Sequence, residues 1–217
     1  MQGSVYVFDV YGTLLDGNSA VLRHAEDVGS EAARLAELWR TKQLEYSWVR
    51  SLMGRRRDFQ ALTEEALDFA AERCGGIAPD LRARLLEAYA ELDAFPDARP
   101  ALEALKRNGS RIAVLSNGTA AMLARALQSA GLDGAIDASL SADDADAFKT
   151  DPRVYTLVLA RFGVEPGEVR LVSSNRWDVA GATAFGFRAY WVNRAGMPDE
   201  YRDLPPARVL RSLGELT

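Results

Sequence analysis

Val5-Tyr6-Val7-Phe8-Asp9-Val10-Tyr11-Gly12-Thr13-Leu14-Leu15-Asp16 sets the fold of this 217-residue chain. Its unbroken apolar run reads as a short strand buried on both faces, as in a parallel sheet. Asp9 stands at the carboxyl end of that strand, the edge at which open α/β sheets bind ligands. Gly12 lets the backbone turn away tightly, and Thr13 sets a hydroxyl beside the carboxylate. On these residues alone two readings stand. Asp9 is a nucleophile, or the strand simply stops at an acidic turn residue.

Beyond Asp16 the pattern turns helical. Leu35, Leu38, Trp39, Tyr46, Val49 and Met53 recur at helical spacings over 31–53. Arg55-Arg56-Arg57 reads as a solvated helix end. Thr63 reads as the cap of the next helix, with Glu64 and Glu65 in its first turn. Gly75-Gly76 end that helix, and another starts near Pro79. From Phe95 onward strands alternate with helices, the strands at 111–116, 135–140, 169–173, 187–192 and 208–210. Such alternation predicts a parallel sheet with right-handed crossovers. The expected fold is α/β: a Rossmann-like parallel-sheet core made of residues 1–16 and 94–217. A helical cap, residues 17–93, is inserted after the first strand.

The net charge of −5 argues against nucleic acid or an anionic membrane as partner. Cys74 is the only cysteine, which excludes an internal disulfide, and it reads as an inert core thiol. His24 is the only histidine and reads as a surface residue. No apolar run approaches the ~20 residues a membrane span needs. No basic segment precedes the first apolar run, so the expectation is no secretory signal and a cytoplasmic protein.

The strand ends hold the chemistry. Asp9, then Ser116-Asn117-Gly118, then Ser173-Ser174-Asn175 with Asp178, all emerge on one edge of a parallel sheet, and Lys149 lies in a loop at that edge. A magnesium site wants several hard oxygen ligands. Here Tyr11 stands two residues after Asp9, where a second acid would serve, and Lys149 adds positive charge. The edge therefore suits an anionic substrate and a carboxylate that attacks carbon without a metal. A water near Asp178 would hydrolyse the resulting ester. Each residue also has a plainer reading. Arg40 snorkels from an apolar helix face; Trp39, Trp48 and Trp177 pack; Tyr155 is a core residue with a wet hydroxyl; Asp178 is a first-turn acid.

Five motifs in order carry a resemblance. They are Asp9-Val-Tyr-Gly-Thr-Leu, the run from Leu38 to Tyr46, Leu115-Ser116-Asn117-Gly118, Lys149 with Arg153-Val154-Tyr155, and Val172-Ser173-Ser174-Asn175 with Trp177-Asp178. Over essentially its full length the chain resembles the L-2-haloacid dehalogenases of the haloacid dehalogenase superfamily. The resemblance implies that Asp9 displaces halide from C2 with inversion, while Thr13 and Lys149 orient Asp9 and keep it ionised. Arg40 would receive the halide with Asn117, and Ser116 would hold the substrate carboxylate. Ser173, Asn175 and Asp178 would position the hydrolytic water, supported by Tyr155. Tyr11, Leu44, Phe59 and Trp177 would line the space around C2.

The implied reaction converts short (S)-2-haloalkanoic acids and water into (R)-2-hydroxy acids through an aspartyl ester. It needs no cofactor or metal, and the protein would be a homodimer. Alternatives are a hydrolase of the same architecture acting on fluoroacetate or a strained ring amine, a magnesium-dependent phosphatase, and a non-catalytic carboxylate binder. The chain departs from the family at Thr150, where proline usually follows the lysine. Without that restraint, either Lys149 is less fixed or the loop takes another path, and Asp151-Pro152 restores order by capping the next helix.

Overall fold

A computed structural model describes residues 4–216. Its strands are β1 (Val5–Phe8), β2 (Arg111–Ser116), β3 (Ala138–Ser141), β4 (Val169–Ser173), β5 (Arg188–Val192) and β6 (Arg208–Leu210). They form one parallel sheet in the order β3-β2-β1-β4-β5-β6. The chain winds outward from β1 to β3, then crosses back to β4 and winds outward again. The direction reverses between β1 and β4, where doubly wound sheets open a ligand crevice at their carboxyl ends. Phe8 pairs with Val114 on one side and Val172 on the other. Helices cover both faces of the sheet at β1, which explains why it is apolar without alternation, with Val5, Val7 and Phe8 all buried.

Between β1 and β2 lie α1 (Ser19–Leu22), α2 (Ala25–Val28), α3 (Ala32–Leu52), α4 (Phe59–Arg73) and α5 (Pro79–Ala90). The rest of the chain adds α6 (Ala98–Arg107), α7 (Ala120–Ser129), α8 (Pro152–Phe162) and α9 (Arg176–Phe185). Val154, Tyr155 and Val158 of α8 and Val179 of α9 pack on Val5, Val7 and Leu171. The other face buries Leu102, Leu105, Leu123 and Leu127 against Phe8 and Val114. Leu35, Trp39, Leu67, Leu85 and Tyr89 of the inserted helices join that same cluster. Each such buried side chain contributes about 1.5–3 kcal/mol, so the insertion is docked by a continuous apolar core.

Local readings differ at a few points. α4 starts at Phe59, because the Asp58 carboxylate accepts from the Ala61 N–H at 2.8 Å. Thr63 therefore lies inside the helix, buried, its hydroxyl donating to the Phe59 carbonyl. Arg56 is not a solvated helix end: it pairs with Asp143 and lies over the Phe148 ring. His24 is half-buried, its Nδ1 3.7 Å from the Asp27 carboxylate. β3 is shorter than expected, because Asp133–Ala135 forms a 3-10 turn first.

Candidate active site

Asp9 follows β1 and is still held by the sheet, its N–H donating to the Val172 carbonyl at 2.9 Å. The turn after it is fixed by Ser174. That hydroxyl donates to the Gly12 carbonyl at 2.6 Å, and the Ser174 N–H donates to Thr13 Oγ1 at 2.9 Å. Gly12 has φ +90, a conformation glycine adopts without strain. Thr13 Oγ1, thus loaded, donates to Asp9 Oδ2 at 2.9 Å. Asn175 Nδ2 donates to the same oxygen at 2.7 Å and to the Tyr11 carbonyl at 3.2 Å. Ser173 Oγ accepts from the Asn175 N–H at 3.1 Å and so acts on Asn175.

Lys149 joins the two carboxylates. Its Nζ donates to Asp9 Oδ1 at 3.1 Å and to Asp178 Oδ2 at 2.8 Å. The Tyr155 hydroxyl donates to Asp178 Oδ1 at 2.9 Å. That hydroxyl is fully buried, so it is not the wet group its place in an amphipathic helix suggested. Burial alone would lower the pKa of Lys149. The carboxylates of Asp178 and Asp9 outweigh it and hold the ammonium above the usual lysine range. Burial raises the carboxyl of Asp178, the Asp9 charge adds to this, and Lys149 opposes it without cancelling it. Tyr155 is pushed well up, by burial first and then by Asp178, and remains a phenol able to donate.

The Lys149 loop is pinned along its length. The Lys149 N–H donates to Asn117 Oδ1 at 2.8 Å, and its carbonyl accepts from Trp48 Nε1 at 3.2 Å. Asp151 caps α8 by accepting from the Arg153 N–H at 2.9 Å, with Pro152 in the first turn. The Lys149–Thr150 peptide is cis. Four hydrogen bonds, two at its backbone and two at its ammonium, hold Lys149 with Thr150 in the place of proline. With Asn117 Oδ1 occupied as an acceptor, its amide NH2 is left to point elsewhere. Ser116 Oγ accepts from the Gly118 N–H at 3.2 Å.

Aromatic rings surround these polar groups. Tyr11 stacks on Tyr89 with centroids 5.5 Å apart and lies 6.3 Å from Phe59. Trp177 meets Trp48 edge-on at 5.4 Å. A cavity of about 460 Å³ is lined by Tyr11, Tyr89, Thr63 and Met122, with Arg82 and Arg125. A larger one, about 800 Å³, is lined by Trp48, Trp177, Leu52 and Lys149. Asp9 lines neither. Arg40 and Leu44, one turn apart on α3, are both half-buried. Arg40 Nη1 donates to Gln43 Oε1 at 2.8 Å. The charges of Asp9 and Arg40 both act on the phenols of Tyr11 and Tyr89, with opposite signs.

Asp9, Thr13, Lys149, Asn175, Asp178 and Tyr155 thus form one bonded cluster, to which Asn117 is tied through the Lys149 backbone. Pattern reading named Ser174 at the strand end but gave it no role, and it gave none to Gln43 or Tyr89. Ser174 had a signal, its place inside the polar run after β4. Tyr89 had none, because its spacing is that of a core residue. Among the described residues no three His, Cys, Asp or Glu side chains are arranged to hold a metal ion. The cluster can present the Asp9 carboxylate to an electrophile and hold behind it a second carboxylate, Asp178, whose pKa burial raises.

A family model described as haloacid dehalogenase-like hydrolase matches residues 4–186. (S)-2-haloacid dehalogenase 1 of Pseudomonas sp. (strain CBS-3) is 52% identical over 211 residues, 97% of this chain and 93% of the relative. A crystal structure of a dehalogenase with an intermediate complex is 48% identical, with a TM-score of 0.96, covering 99% of this chain and 96% of that one. The L-2-haloacid dehalogenase from Xanthobacter autotrophicus with chloropropionic acid covalently bound is 35% identical, with a TM-score of 0.90 and coverage of 99% and 96%.

Proposed function

The chain belongs to the haloacid dehalogenase-like hydrolases, and from that premise we propose that it hydrolyses short (S)-2-haloalkanoic acids to (R)-2-hydroxy acids. One observation carries the reading: a buried ammonium, Lys149, bridges Asp9 and Asp178. It sets a positive charge against the Asp9 carboxylate, where Tyr11 leaves no second acid beside it.

In the first half-reaction an Asp9 oxygen attacks C2 in line, the carbon–halogen bond breaks, and halide leaves with the electron pair. Oδ2 already accepts from Thr13 and Asn175, whereas Oδ1 accepts from Lys149 alone. Arg40 and the Asn117 amide receive the halide, and Ser116 with nearby backbone amides holds the substrate carboxylate. Tyr11, Leu44, Phe59 and Trp177 exclude water around C2.

In the second half-reaction a water held by Asp178, Asn175 and Ser173 attacks the ester carbonyl carbon of Asp9. Asp178 takes its proton, a role favoured by a raised carboxyl pKa, while Tyr155 orients that carboxylate. The acyl C–O bond of the ester breaks on the aspartate side, and the leaving alkoxide takes the proton that Asp178 accepted from the water, so the inversion made at C2 is retained in the hydroxy acid. Lys149 steadies the regenerated Asp9 carboxylate.

We take residues 17–93 as the cap and 1–16 with 94–217 as the core, and expect a cytoplasmic homodimer. Self-association is supported by the apolar end of α3, where Val49 is exposed by 45% and Leu52 by 88%. The function is tested by halide release from (S)-2-chloropropionate in EDTA. The wild-type chain releases halide, Asp9→Asn does not, and acid quench during the first turnover traps an Asp9 ester detectable by mass spectrometry. A folded protein that releases no halide from any two- to four-carbon haloacid would overturn the reading.

A further inference from the structure

Arg40 donates to a neutral group. Its Nη1 donates to Gln43 Oε1 at 2.8 Å. A carboxylate in that place would cancel the positive charge an anion needs; an amide fixes direction and leaves the charge intact.

Gln43 is itself held so that its oxygen faces Arg40. It is 1% exposed on α3. Thr63 Oγ1 spends its one proton on the Phe59 carbonyl, at 2.7 Å. Toward Gln43 it can therefore only accept, and the group 2.6 Å away must be the amide nitrogen. That fixes the flip of the side chain and turns Oε1 the other way. The Tyr89 hydroxyl, 3.0 Å from Nε2 and 3.2 Å from Oε1, closes the arrangement from α5. Trp39 Nε1 donates to the Thr63 carbonyl at 2.8 Å and holds that turn of α4 in place. Three inserted helices thus converge on one amide, and that amide meets one arginine.

We propose that Gln43 is a positioning residue for Arg40, its Oε1 holding the guanidinium where the leaving halide is expelled. The inference rests on the reading of Arg40 as halide acceptor. Its effect falls on the step that breaks the carbon–halogen bond, not on hydrolysis of the ester.

Leaving-group dependence tests this. Chloride departs less readily than bromide, so its expulsion draws more on Arg40. Gln43→Met is expected to lower kcat/KM for (S)-2-chloropropionate about tenfold and to raise the bromide-to-chloride ratio roughly threefold. In single-turnover experiments ester formation slows while ester hydrolysis keeps its rate. A merely structural role would lower both substrates alike, and an unchanged ratio in folded Gln43→Met overturns the proposal. Should Gln43→Met fail to fold, Thr63→Ala frees the amide to flip. It is expected to move the ratio the same way by a smaller factor, and no movement there overturns the proposal too. Arg40→Met separates the two claims. If it raises the ratio and Gln43→Met does not, only the Gln43 proposal fails; if Arg40→Met itself leaves the ratio unchanged, the halide-acceptor reading fails first.

Discussion

Lys149 and Asp178 form an ion pair 2.8 Å long with both side chains sealed from solvent, exposed by 1% and 0%. Moving two charges into a protein interior is costly, and the pair persists because each charge has a second partner. Lys149 also bonds Asp9, and Asp178 also accepts from Tyr155. The site is thus a chain, Asp9–Lys149–Asp178–Tyr155, in which every link depends on the next.

Removing the cation breaks the chain at its centre. Lys149→Met leaves two buried carboxylates facing each other, and one must take up a proton. Loss of a partner from a buried pair costs about 3–5 kcal/mol. Urea unfolding should show a loss of that size, and halide release should vanish. A variant within about 1 kcal/mol of wild type would show that the pair is not the strut described here.

Alkaline pH should loosen the fold for a related reason. Lys149 is raised by its two carboxylates against burial, and Tyr11, Tyr89 and Tyr155 are raised by burial. A raised pKa means the folded chain holds protons that the unfolded chain gives up first. Stability from these groups is therefore complete below their ordinary values, about 10 for tyrosine and 10.4 for lysine, and falls as pH rises further. Thermal melts should be steady near pH 8 and decline above about pH 10. Lys149→Met should show a shallower decline, with only the tyrosine part left. Parallel declines would rule out the Lys149 contribution.

Tyr155 should be visible in the pH dependence of the reaction. Its hydroxyl donates to Asp178 Oδ1 and so favours the ionised carboxylate, partly offsetting burial. Tyr155→Phe removes that donor, which raises the Asp178 carboxyl further. With Asp178 as base, the acid limb of the rate profile should move to higher pH. Stability should fall by about 1–3 kcal/mol, the cost of a buried acceptor left without its donor. An acid limb that stays in place would remove Asp178 from the role of base.

The fold and the polar cluster were legible in the sequence for physical reasons. Val5 to Phe8 is apolar without alternation because helices cover both faces of β1, and Asp9, Ser116 and Ser173 end their strands or follow them directly. Strand ends are local features, readable from pattern. What escaped depended on contacts across the chain. Tyr89 sits at a core spacing on α5, and only the packed structure brings its ring onto Tyr11, 78 positions earlier in the chain. Thr63 had the residues of a helix cap, but Asp58 five positions earlier took that role, and Thr63 became the buried acceptor for Gln43. Arg56 carried a charge run's signature and was captured by Asp143. Propensity assigned these residues by their neighbours in sequence, and tertiary contact decided otherwise.

Gly118 offers a test of pocket shape. A Cβ there would lie 3.0 Å from Tyr11 Cε2 and 3.1 Å from its hydroxyl oxygen. The ring has little room to yield, because it stacks on Tyr89 at 5.5 Å with an interplanar angle of 11°. Gly118→Ala should therefore push Tyr11 toward the space assigned to the substituent on C2. The overpacking should cost about 1–3 kcal/mol in stability. The loss in kcat/KM should grow with the substituent, small for chloroacetate and larger for (S)-2-chlorobutyrate. Equal losses on both substrates would mean that Tyr11 does not face the substituent, and the lining assigned to the pocket would have to be redrawn.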